Sequence, residues 1–333
     1  MKRCLVVTVD TEEEGLWGGG FRSSGNTVEN IQHVPRFQAI CDRYEVKPTY
    51  LVTAPVVTDQ SAARVLSEIH EDGRCEIGTH LHPWCTPPIT RSEVRASETF
   101  MCNLPASEQR AKLEWLTDAI ERTFGPRPTS FRAGRYGLDA IGAEVLIDLG
   151  YKVDSSVIPF MDYSDQGGPD FRRAPYHPYL AGGRSLVTPA AESPLLEIPV
   201  TVGFSRSDFA FAHRLQERCR STWLRRLRLE GILDRLGVAR RIKFSPEQAD
   251  FGRMTQLVDS TLAQKRDMTV MVMLLHSSSL MPGASPYART EEERDQLLDH
   301  FERTVRSCIE DRAFESRTLG ECEGAVQEAT SWT

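Results

Sequence analysis

The segment Glu76-Ile77-Gly78-Thr79-His80-Leu81-His82-Pro83-Trp84 joins a short apolar strand to two histidines spaced two apart. Side chains in an extended chain alternate faces, so both imidazoles leave on the same side. Neutral imidazole is the commonest protein ligand for transition metals, which makes a same-side pair at a strand end a candidate metal grip. Taken alone, the stretch is also compatible with one structural and one exposed histidine, since this spacing recurs by chance. The pattern around it decides.

That pattern is an alternation. Residues 4–9, 47–52, 75–79, 129–132, 151–155, 195–200 and 268–275 are apolar runs of strand length. Between them, 35–44, 61–71, 107–124, 139–149, 214–243, 255–264 and 291–311 carry apolar residues at helical spacing. Residues 83–105 and 162–184 show no steady period, and the tail after Glu321 reads as frayed. Strands alternating with helices give a parallel sheet wrapped by helices, closed into a barrel or doubly wound. At 333 residues the chain suits one α/β barrel. We expect a single domain over 1–333 with a basic helical insertion at 205–250. The glycine-rich stretch 15–20 has no lysine and no helix pattern behind it, so it reads as the rim of a site, not a phosphate loop.

Polar residues collect just after the strands. Asp10 and Glu12 follow the first, His80 and His82 the third and His276 the seventh; Arg132 ends the fourth, and Asp154 lies in the fifth. In a barrel those ends share one rim, from which catalytic groups are drawn. Any one of them could be a surface ion pair, a turn residue or a core histidine. Their joint placement fits metal-assisted hydrolysis. Two histidines and a carboxylate form an open three-ligand site, which lowers the pKa of bound water and polarises a carbonyl. A second carboxylate can take the water's proton, and a histidine opposite can protonate a leaving amine. Arg132 could keep that base ionised. Trp84 could stack on a sugar face or simply pack.

The net charge of −7 argues against nucleic acid as a partner. Residues 214–243 run against it, with ten basic and three acidic positions. They read either as a solvated helical face or as a dock for a phosphate-bearing carrier or an anionic membrane surface. Eight cysteines occur without a C-x-x-C pair, which disfavours a thiolate zinc site and suggests reduced thiols. The apolar run at 4–7 is short for a signal peptide, and no run reaches the length of a membrane span. The expected location is cytoplasmic.

With these residues laid out, the chain resembles the polysaccharide deacetylases of carbohydrate esterase family 4, the NodB-like fold. Thr8-Val9-Asp10-Thr11-Glu12 is similar to the family's first motif and Gly78-Thr79-His80-Leu81-His82 to its second. Phe131-Arg132-Ala133-Gly134-Arg135-Tyr136-Gly137 resembles the third, Val153-Asp154-Ser155-Ser156 the fourth and Leu274-Leu275-His276-Ser277 the fifth. The resemblance runs from about residue 4 to about residue 287, and is nearest to a branch associated with bacterial surface polysaccharide assembly.

It implies a distorted α/β barrel of about seven parallel strands, and metal-dependent removal of an N-acetyl group from an amino sugar. Asp10 would be the general base, Arg132 its partner and His276 the general acid tuned by Asp154. Glu12, His80 and His82 would hold a divalent metal, zinc first, with cobalt or nickel as substitutes. Trp84, Arg135, Tyr136 and Leu275 would touch the N-acylated carbohydrate, Leu275 at the acyl methyl. Two features differ from the family pattern. Thr11 stands where a second, metal-binding aspartate is usual, and the histidines are separated by one residue instead of three. A carbohydrate-binding relative without catalysis, or a metal hydrolase acting on a formamide or ureide, are the alternatives.

Overall fold

Residues 2–11 carry the frame. The computed structural model describes residues 2–90, 93–182, 185–220 and 239–329, with the side chains of 219 and 220 excepted. The strands are β1 (Lys2–Thr11), β2 (Thr49–Val52), β3 (Glu76–Leu81), β4 (Ser130–Ala133), β5 (Val153–Asp154), β6 (Tyr179–Ala181), β7 (Leu195–Glu197), β8 (Val202–Phe204), β9 (Arg241–Lys243), β10 (Met268–His276) and β11 (Glu315–Ser316). The main sheet has the order β10-β1-β2-β3-β4-β5-β7-β6, with β11 also pairing β1. Every pairing is parallel except β6 with β7. The register aligns Asp10 with His276, and His80 with Arg132.

The helices are α1 (Val34–Arg43), α2 (Ala54–Thr58), α3 (Gln60–Glu71), α4 (Ala106–Phe124), α5 (Ala140–Asp148), α6 (Phe209–Arg220), α7 (Phe251–Leu262), α8 (Glu291–Arg306) and α9 (Leu319–Ala329). Several start where a side-chain oxygen meets an orphan backbone amide. Asp59 accepts from Ala62 N at 2.8 Å, Asp139 from Gly142 N at 2.8 Å and Asp250 from Arg253 N at 2.8 Å.

Strand alternation sorts β1 into two faces. Leu5, Val7 and Val9 join the large core beneath the helices, while Cys4 and Val6 join a smaller core inside the curl with Leu51, Val153 and Val272. Leu319, Cys322, Ala325 and Val326 of α9 close this inner core from below. Above it lies a polar layer in which Arg132 donates to Thr8 Oγ1 and to Ser155. Above that stand Asp10, Glu12 and the histidines. The curl is a half-barrel: no ladder joins β6 to β10, and the gap is bridged by Thr201 N to Val272 O at 3.2 Å and Leu274 N to Phe244 O at 3.1 Å.

The parallel sheet wrapped by helices expected from the alternation is present, curled into the distorted barrel that the family resemblance implies but left open as a half-barrel. Three local expectations differ from what is found. The tail forms α9 because its apolar face has the inner core to cover. Residues 162–184 contribute β6, which pairs with β7. Residues 241–243 are a strand paired to β8 and not the end of a basic helix. Of the region 205–250, residues 221–238 lie outside the described residues, and with them most of the basic stretch.

Candidate metal centre and catalytic cleft

The i, i+2 histidines at the end of β3 leave on one side, as extended geometry requires. His80 Nε2 lies 3.6 Å from Glu12 Oε2, and His82 Nε2 lies 3.4 Å from the same atom. All three residues are buried, and their ligand atoms lie within 4.8 Å of one another. The other ring nitrogens are committed. His80 Nδ1 donates to the carbonyl of Arg132 at 2.9 Å, and His82 Nδ1 to Glu13 Oε1 at 2.8 Å. In neutral rings with Nδ1 protonated, both Nε2 lone pairs therefore face a carboxylate oxygen. Three electron-rich atoms converge, which suits a divalent cation with oxygen and nitrogen ligands. Without one, the carboxylates draw a second proton to the site. Burial alone would depress the His82 pKa, but Glu13 and Glu12 outweigh it and lift it to about 10.

Glu13 was not anticipated from the sequence. It takes the opposite direction from Glu12 at the strand end and reaches His82, Trp84 Nε1 at 2.9 Å and Cys85 Sγ at 3.3 Å through one oxygen. Burial would raise its pKa, but the His82 charge and hydrogen bond hold it down at about 2. A carboxylate behind a ligating histidine fixes the tautomer and the ring orientation. Gly134 completes this wall, since a Cβ there would collide with the His82 ring and meet Leu81 O at 2.7 Å.

Asp10 faces the same space. Arg132, buried completely, donates to Asp10 Oδ1 at 2.6 Å, and its other donors go to Thr8 and Ser155. Burial would raise the Asp10 pKa, but Arg132, with His80 and His276, keeps its carboxyl well below the usual range. His276 Nε2 stands 3.7 Å from Asp10 Oδ2. Its Nδ1 is held by Glu247 Oε2 at 2.9 Å, and Ser279 Oγ donates to the other Glu247 oxygen at 2.6 Å. Burial would lower the His276 pKa, but Glu247 leads the acids that raise it to about 9. Glu247 is also new here. It follows β9 and reaches β10 only in space, so no local pattern marks it.

These groups open into a cavity of about 480 Å³ that includes Asp10, Glu12, His80, His82 and His276. That size suits a sugar. Its mouth is aromatic. Trp17, 38% exposed, meets His276 edge-on at 4.9 Å and donates through Nε1 to Ser278 Oγ at 3.2 Å. The glycine-rich stretch forms this rim, as expected, with the turn Leu16–Gly18 flanked by Gly15 and Gly19 at positive φ. Arg135 and Tyr136 line the cavity from the turn after β4.

Three expectations fall elsewhere. Asp154 makes no hydrogen bond or ion pair with His276. It is buried on β5 opposite Glu197, accepts from Ser156 Oγ at 2.5 Å, and burial raises its pKa and that of Glu197. Glu247 occupies the position behind His276 instead. Leu275 is in register with Val9, whose side chain faces the helices, so it packs into the outer core and does not line the cavity. Trp84 lines the cavity but is 4% exposed, stacked on His82 at 4.2 Å between ring centres. It buttresses a histidine more than it offers a platform. Zinc-type ligation by Glu12, His80 and His82 fits the donor set.

Residues 23–153 match the sequence profile described as polysaccharide deacetylase. No curated protein matches the chain. A solved structure from Mycobacterium smegmatis, described as that of a polysaccharide deacetylase, is 16% identical, with a TM-score of 0.53 over 98% of this chain and 91% of that one. One from Parabacteroides distasonis, described as a glycoside hydrolase/deacetylase, is 14% identical, with a TM-score of 0.64 over 99% of this chain and 72% of that one. At such identities the likeness is one of fold. Residues 23–153 thus match the polysaccharide deacetylase family by sequence, and over its length the chain shares the fold of these two structures.

Proposed function

We propose that this protein is a divalent-metal-dependent hydrolase that removes the N-acetyl group of an amino sugar in a glycan or glycan precursor, within bacterial surface polysaccharide assembly. The observation that carries this reading is the convergence in one cavity of Asp10, the Glu12–His80–His82 trio and His276, drawn from β1, β3 and β10. Neighbouring Arg132, Glu13 and Glu247 each fix one of them.

When bound by Glu12, His80 and His82, a zinc-type ion supplies Lewis acidity for the amide carbonyl and lowers the pKa of water beside it. Asp10, kept ionised by Arg132, takes the proton of the attacking water. His276, kept protonated by Glu247, gives its proton to the departing sugar nitrogen as the C–N bond breaks. Acetate and the free amine are the products. Trp17 and Phe21 cover the mouth, limiting water and presenting apolar faces to the sugar ring. Among the described residues no helix is long and apolar enough to cross a membrane.

The test is acetate release from N-acetylated amino sugars by the zinc- or cobalt-reconstituted chain, with N-formyl and cyclic amide analogues in parallel. Acetate release that depends on metal and is lost in His80→Ala supports the reading. Sugar binding without turnover, and without stoichiometric metal, rejects it in favour of a binding protein.

A further inference from the structure

Arg135 is a half-buried cation at the catalytic cavity with no ion pair among the described residues. Its donors meet neutral acceptors: Nη1 donates to Thr99 Oγ1, and Nη2 to Gln166 Oε1 at 2.7 Å. The guanidinium lies 4.0 Å from the centre of the Phe100 ring and 5.3 Å from that of Phe21. It is thus held flat and aimed while keeping its full charge. The backbone is bent to achieve this. Arg135 has φ 53° and Tyr136 φ 60°, two consecutive non-glycine residues in the left-handed region. A second cation stands close by: Lys243 Nζ donates to Tyr136 Oη at 3.0 Å.

The other charges of the cavity are already matched. Asp10 faces Arg132 and His276, Glu12 faces the two histidines, and Glu247 faces His276 with Lys243 in its field. Arg127, Arg172 and Arg312, by contrast, all have carboxylate partners. Burial and the Tyr163 phenol, not a carboxylate, act on Arg135. A fixed guanidinium beside a sugar-sized space, short of a counter-charge, is the geometry that recognises a bidentate oxyanion.

We propose that the substrate carries an oxyanion, a phosphate or a carboxylate on the N-acylated sugar, and that Arg135 reads it with Lys243 as second cation. This rests on the deacetylase reading of the cavity. It makes the preferred substrate a glycosyl phosphate or an N-acetylated amino-sugar uronate, in place of a neutral glycan.

Calorimetric titration of the zinc-supplemented full chain tests it, with N-acetylglucosamine, its 1-phosphate and its uronate as probes. We expect one charged probe to bind roughly tenfold or more tighter than the neutral sugar. Which one separates phosphate from carboxylate recognition. Salt should weaken the preference. In Arg135→Met the charged-to-neutral ratio should fall close to one, in Arg135→Lys part of it should survive, and in Lys243→Met it should fall less. Equal binding of neutral and charged probes, no binding of any of them, or an unchanged ratio in a folded Arg135→Met overturns the proposal. Acetate release measured alongside keeps the two readings apart. Equal turnover of neutral and charged probes removes the oxyanion and leaves the deacetylase; charged-probe binding without acetate from any substrate removes the deacetylase.

Discussion

His276 Nε2 lies 3.7 Å from Asp10 Oδ2, on residues that are direct neighbours in the β1–β10 register. The proposed proton donor and acceptor therefore sit on adjacent strands, and their charge states depend on who stands behind each. Arg132 stands behind Asp10 and Glu247 behind His276.

Glu247→Gln should move the alkaline limb of the pH–rate profile downward. The folded pKa of His276 is about 9 against an ordinary 6.5. A raised pKa stabilises the fold fully below the unfolded value, and that stabilisation is lost as pH rises through the folded value. Removing the Glu247 charge should draw both the limb and the stability loss from near 9 toward 6.5. Rate profiles and urea melts on either side of neutrality measure this; a limb that stays in place contradicts the assignment.

Glu13→Gln should weaken zinc binding roughly 10- to 100-fold, the usual cost of losing the carboxylate behind a ligating histidine. Glu12→Gln and His80→Ala, which remove ligands, should cost more. Competition with a chromophoric chelator reads all three without any turnover assay. Parental affinity in Glu13→Gln would mean that His82 is not a ligand.

Asp10→Asn should leave zinc affinity within about threefold and lower kcat by a hundred- to ten-thousandfold, the usual range for a lost general base. It also leaves the buried Arg132 charge without its counter-ion, so stability should fall by roughly 3 kcal/mol. Normal kcat in this variant would move the base elsewhere.

Gly134→Ala should push the His82 ring from its seat, because the new methyl would collide with it. We expect a loss of about 1–3 kcal/mol in stability, as for other overpacked interiors, together with weaker zinc binding. Denaturant melts and the same chelator competition check both; an unchanged variant would mean that the wall behind His82 yields freely.

The parallel sheet and its polar rim were legible because parallel strands announce themselves as apolar runs, and because Asp10, His80, Arg132 and His276 sit at their ends; that the sheet curls into a barrel came from the family resemblance. The spacing of His80 and His82 was readable for the same reason, since alternation in an extended chain is a local rule. What lay beyond the sequence was lateral. Glu247 comes from the loop after β9 and meets His276 only once the gap between β7 and β10 is bridged. Asp154 carried the right motif, yet β5 pairs with β7, so its side chain finds Glu197 in place of the histidine. Leu275 failed on parity: one residue before His276, it turns to the other face of β10. Glu13 had a weak local signal, an acid beside Glu12 with opposite direction, but nothing local tied it to His82.

The pairing of β1 with β10 also sets an order of events during synthesis. Glu12, His80, His82, Arg132 and Asp10 are all made within the first 132 residues, whereas His276 arrives on a strand translated much later. The cavity that holds Asp10, Glu12, His80 and His82 therefore lacks one wall until the late strand slots in beside the first, and truncation before residue 268 should leave these side chains without His276 opposite them.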